Sequence, residues 1–141
     1  MHNITLISTV HKAMGNCNAD ELCKILNELR PEVIFMEAFD HTYNQYEKKM
    51  FIEFKTFHSK LEVRAMQLYT SSSSFIYVPV LDSGLDDAFA KKYQTIGDNP
   101  SFRKSLDNFN SVASEYGFPF LNSDEGMKLH AEMRVLENNL L

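Results

Sequence analysis

His11 and Glu37 are a base and a carboxylate, each standing directly after a short apolar run. An imidazole exchanges protons near neutral pH and a carboxylate beside it fixes its tautomer, so the two types together can do general acid–base work. A third apolar run is followed by Asp82, Gly84, Asp86 and Asp87. A carboxylate there can serve a metal, a ribose or a helix cap; Asp82-Ser83-Gly84 reads first as a turn, and Asp86 or Asp87 as a helix start. Cys17, in the turn Gly15-Asn16-Cys17-Asn18, is either a nucleophilic thiol or a plain loop residue, and Cys23 reads as a small core residue. Two cysteines so placed make neither a disulfide framework nor a zinc knuckle. Asp40-His41 is a further candidate ligand set, whereas His58 and His130 fall on helical patterns and His2 is terminal. Glu62 and Arg64 can reach the same cleft, or simply form an exposed ion pair with each other.

Placing these groups requires elements. The runs Ile4-Thr5-Leu6-Ile7-Ser8-Thr9-Val10 and Val33-Ile34-Phe35-Met36 have the apolar, β-branched character of buried strands. Residues 18–30 between them are helical: Asn18 suits the N-cap, Asp20 and Glu21 suit the first turn, and Leu22, Ile25, Leu26 and Leu29 repeat along one face. Arg30-Pro31 ends that helix. Strand, helix, strand is a parallel βαβ unit, and its strands would carry His11 and Glu37 to one edge of the sheet, where open α/β folds bind ligands.

Beyond the second strand the pattern is helical from 42 to about 68, with an aromatic stripe of Tyr43, Tyr46, Met50, Phe54 and Phe57 expected to be buried and a second helix at 59–69. Ser71 to Ser74 make a polar loop, and Phe75-Ile76-Tyr77-Val78-Pro79-Val80 reads as a third strand, with Pro79 suited to an edge or strand end. Helices are expected over 85–93, 101–115 and 123 onward, broken at Gly97-Asp98-Asn99-Pro100 and at Gly117-Phe118-Pro119.

Composition narrows the classes. The 141 residues fit one domain of about 100–200 residues, and 44% hydrophobic content supplies a core. A net charge of −5 disfavours nucleic acid and anionic membranes as partners. No apolar run approaches the roughly 20 residues that span a bilayer. Strand-like sequence starts too early for a signal peptide, so a cytoplasmic chain is expected. Gly-x-Gly-x-x-Gly, P-loop and His-Glu-x-x-His motifs are absent.

Three segments carry a resemblance: Ser8-Thr9-Val10-His11, Asn18-Ala19-Asp20-Glu21-Leu22, and Pro31-Glu32-Val33-Ile34-Phe35-Met36-Glu37. Together they resemble the opening of the TraB, Tiki and erythromycin-esterase-like (ChaN-like) superfamily, in which a strand ending in Gly-x-x-His is followed by a helix and a Pro-Asp/Glu-Val-Ile strand ending in glutamate. The likeness covers roughly the first forty residues and extends more weakly to Ile76-Tyr77-Val78-Pro79-Val80. Ser8 replaces the usual glycine, and the family's second Gly-x-x-His motif does not occur in these residues. The resemblance implies hydrolysis of an ester or peptide bond, in some members with a divalent metal. His11 would be general base or metal ligand, and Glu37 would orient it or take the proton itself.

The expectation is therefore an α/β fold: a short, mostly parallel sheet of three to four strands flanked by helices, with a helix-rich C-terminal half. It is expected as a single domain over 1–141, or the leading part of a larger one. A hydrolase acting on a small molecule or peptide at His11 and Glu37 is the first reading. An inactive module binding a ligand or partner at the strand ends, and a homo-oligomer that completes its site between copies, are the alternatives.

Overall fold

The computed structural model describes residues 3–42, 45–81 and 87–141 and, of 45–47 and 87–89, the backbone alone. Its described elements are α1 (Ala19–Leu29), β1 (Val33–Met36), α2 (Gln45–Phe54), α3 (Leu61–Thr70), β2 (Ile76–Pro79), α4 (Asp87–Asp98), α5 (Pro100–Leu121) and α6 (Asp124–Leu140). The chain falls into two compact units. One comprises Val10–Ala13 and Asn18–Gly84; the other comprises Met1–Thr9, Met14–Cys17 and Leu85–Leu141.

The unit holding the sheet forms as its residues dictate. Asn18 caps α1, its side-chain oxygen accepting the Glu21 N–H at 3.0 Å, and Arg30 ends it in the left-handed conformation with its N–H on the Leu26 carbonyl. Leu22 and Leu26 are buried while Leu29 is 45% exposed, so the apolar face is shorter than its spacing implies. α1 packs on α3. From α3, Val63 and Met66 also pack with Met36 and Ala38, flanked by Ile34, Phe75 and Tyr77. With neighbours in both α1 and the sheet, α3 buries six of its ten residues, whereas α2 buries Phe51 and leaves Phe54, a member of the expected aromatic stripe, exposed. Tyr43 and the Tyr46 side chain lie outside the described residues.

β1 and β2 run parallel with Val33 opposite Ile76 and Met36 opposite Pro79. They are the whole sheet among the described residues, two strands where three to four are expected. The missing strand is the N-terminal run. Residues 3–10 have no regular structure, and Ile4 and Leu6 are 96% and 91% exposed. An apolar, β-branched run records a preference for a pleated, half-buried surface, but a strand exists only where another strand offers it a ladder. Here the Ser8 main chain is held by a side chain instead: its N–H donates to Asn122 Oδ1 at 2.6 Å, and its carbonyl accepts from Asn122 Nδ2 at 3.2 Å.

In the other unit α5 bends sharply. Gly117, at φ 67° and ψ −151°, is in a conformation open essentially to glycine alone, and Pro119 brings no N–H. The carbonyl of Glu115 would ordinarily receive the N–H of residue 119, which Pro119 lacks. The loop 14–17 donates to this carbonyl and to the two before it. Asn16 N–H donates to Ser114 O at 2.8 Å, Asn16 Nδ2 to Glu115 O at 2.7 Å, and the Cys17 thiol to Ala113 O at 3.2 Å. The loop itself is closed by a reciprocal pair between Met14 and Cys17, with Gly15 at φ 49°. Past the bend, Phe118, Phe120 and Leu121 are buried, and Phe109 meets the Phe120 ring at 5.5 Å. Ser123 then caps α6 by accepting the Gly126 N–H at 3.1 Å, and Tyr93 donates to the buried Glu137 carboxylate.

Candidate functional site

His11 reaches its place without a strand. Its carbonyl accepts the Leu61 N–H at 3.1 Å, so the residue is fixed at the N-terminal end of α3. That N-terminus has an unsatisfied need: Lys60 stands at the N-cap and gives no side-chain hydrogen bond. The backbone of His11 meets part of it. The same geometry brings the imidazole against the first turn of α3, where Glu62 sits, favoured there by the helix dipole. His11 Nδ1 and Glu62 Oε1 are 3.0 Å apart. The His11 side chain is 67% exposed and that of Glu62 only 12%, so a sheltered carboxylate holds a solvent-facing imidazole by one nitrogen. Nε2 is left on the open side of the ring. Because the imidazole is so exposed, the ion pair adds little to stability; what it fixes is orientation.

The loop before α3 is tied down by buried polar contacts. Gln67, fully buried in α3, accepts the His58 N–H at 2.9 Å and donates to Thr56 O at 3.4 Å. His58 Nδ1 in turn accepts the Lys60 N–H at 3.0 Å, which places the imidazole proton on Nε2. Arg64 lies over the Phe57 ring, 4.5 Å from its centroid. The exposed Glu62–Arg64 pair anticipated from sequence is replaced by Glu62 with His11 and Arg64 with Phe57.

Glu37 emerges exposed at the carboxyl end of β1, where Ala38 N–H turns back to Met36 O at 2.8 Å. Among the described residues no hydrogen bond or ion pair joins it to His11. Asp40 and His41 lie in the turn that follows, and the His41 ring stacks on Phe39 with centroids 5.5 Å apart. Asp82 and Asp86, and the side chain of Asp87, lie outside the described residues. His130 is exposed, its ring 6.2 Å from that of Phe109.

Among the described residues no three of His, Cys, Asp and Glu gather as a metal set. Among the described residues no helix is long and apolar enough to cross a membrane. Cys17 is wholly buried with its thiol on a carbonyl, and burial pushes that thiol up from its ordinary range, the opposite of nucleophilic activation. Cys23 is half-buried beside Asn27, and its thiol is also raised, first by burial. Thiol labelling of the native protein at neutral pH should consequently modify Cys23 slowly and leave Cys17 untouched until the chain is unfolded. Fast modification of Cys17 in the native state, read by mass spectrometry of its peptide, would contradict this placement.

Sequence reasoning names both members of the His11–Glu62 pair without joining them. The available signal is Glu62 in the first turn after an N-cap lysine, which marks a helix start able to hold a charged partner. Comparison with protein-family models, with curated proteins and with solved structures finds no match for the chain.

Proposed function

We propose that the chain is a hydrolase-like α/β domain, related to the TraB, Tiki and erythromycin-esterase-like superfamily, that cleaves an ester or peptide bond with His11 as general base. The observation that carries this reading is the 3.0 Å contact between His11 Nδ1 and a Glu62 carboxylate that is itself largely sheltered. A base oriented by a third group is the recurring arrangement of hydrolytic sites.

In this reading Glu62 holds the proton on Nδ1 and so keeps Nε2 as the acceptor. Nε2 takes a proton from water as the water oxygen bonds to the substrate carbonyl carbon. The imidazolium formed beside Glu62 then returns that proton to the leaving alkoxide or amine as the tetrahedral intermediate collapses. The orienting part that sequence assigns to Glu37 falls to Glu62. Glu37 keeps its other assignment, a proton acceptor at the end of β1.

The test is a panel of chromogenic esters and peptides against wild type and His11→Ala. Turnover in wild type that falls by about 10²–10⁴-fold in the variant supports the reading. A panel without turnover sinks it and leaves a non-catalytic binding module, and equal turnover in both proteins removes His11 as the base.

A further inference from the structure

Two uncovered features of this chain have matching chemistry. The first is the edge of β1. Ile76 N–H donates to Glu32 O at 2.9 Å and Val80 N–H to Met36 O at 3.0 Å. Alternation along the ladder turns the N–H and C=O groups of Val33 and Phe35 away from β2. Among the described residues these two make no backbone hydrogen bond outside the sheet. Their side chains are 38% and 70% exposed, and across the register Ile76 is 63% exposed. The opposite edge of the sheet is poorer, because the outward-facing positions of β2 are Tyr77 and Pro79, and Pro79 has no N–H to give. The receptive edge is that of β1.

The second feature is the run from Ile4 to Ile7, free of charge, glycine and proline, with Ile4 and Leu6 almost fully exposed and in no strand. Segments of this composition are the ones that add to open edges. Among the described residues neither feature has a strand partner. A second copy offers both at once and in equal number.

We infer that residues 4–7 of one copy add as a third strand along the outer edge of β1 in a second copy, and that the exchange is reciprocal. The Val33 and Phe35 main chains then gain partners, and Ile4 and Leu6 become cross-strand neighbours of the exposed Val33 and Phe35 side chains. Reciprocity closes the assembly as a two-fold dimer, with no strand or β1 edge left to propagate a fibre.

Sedimentation velocity over a wide concentration range tests this with wild type, Leu6→Lys and Phe35→Lys. Both substitutions fall at exposed side chains, so each copy keeps its own packing. Wild type is expected to move from monomer to dimer mass as concentration rises, and each variant alone to remain monomeric. An equimolar mixture of the two variants should associate again, more weakly than wild type, because one unaltered strand still finds one unaltered edge. A wild type that is monomeric throughout, variants that dimerise as wild type does, or a mixture that fails to associate would each overturn the exchange.

Discussion

Gly15→Ala is expected to destabilise the unit formed by residues 14–17 and the C-terminal helices by about 2–5 kcal/mol. Two costs coincide. Gly15 is at φ 49°, where a side chain is strained, and an added Cβ would fall 2.2 Å from Ser114 Oγ and 2.3 Å from Ser114 O. The hydroxyl can rotate away, but the carbonyl cannot, since it accepts the Asn16 N–H. Relief requires the loop to lift from α5. That would break the loop's three hydrogen bonds to the carbonyls of Ala113, Ser114 and Glu115 and leave Glu115, whose helical donor Pro119 cannot supply, without a partner. Thermal unfolding should register a midpoint lowered by roughly 10 °C. Gly97→Ala is the control: nothing lies within 4 Å of the added atom, so stability should hold or rise slightly. A Gly15→Ala midpoint equal to wild type would mean that the loop is not seated against the bend as described.

Glu62→Gln should leave the fold intact and, if the proposed chemistry is right, lower turnover by about 10–10³-fold with little change in KM. The amide matches the carboxylate in size but carries no charge. It can present its NH2 to Nδ1 as easily as its oxygen, and so no longer selects the tautomer that keeps Nε2 a base. Nor does it stabilise the imidazolium formed during proton transfer. A residue with only a structural part at the start of α3 would alter the melting temperature and leave the kcat-to-KM balance alone. The substitution therefore separates positioning from support. Equal kcat in Glu62→Gln and wild type would remove Glu62 from the mechanism and leave the exposed His11 without an orienting group.

Much of this architecture is legible in the sequence because it is local. The first helix, its Asn18 cap and its arrest before Pro31 follow from side-chain types over a dozen neighbouring residues. The strands at 33–36 and 76–79, the helices of the C-terminal half and the interruption at Gly117-Phe118-Pro119 follow in the same way. The N-terminal run misleads for the complementary reason. Its composition states what residues 4–10 would prefer to bury against, and composition is blind to whether a ladder is offered. Glu37 illustrates the same limit, because its proximity to His11 is inferred from a strand that does not form within one copy.

What sequence alone determines is thus the set of helices and their ends, the two parallel strands, and the presence of a histidine and carboxylates able to handle protons. Tertiary structure alone decides which of those groups meet. His11 is joined to Glu62 because the start of α3 lacks a side-chain cap and takes the His11 carbonyl, a contact across fifty-one positions. Cys17 is buried and silenced because its loop seats on the carbonyls of Ala113, Ser114 and Glu115, roughly a hundred residues further on, where Pro119 denies Glu115 its helical partner. Backbone groups denied a local partner find a distant one. Local propensity says where such groups arise, and only the folded chain says what satisfies them.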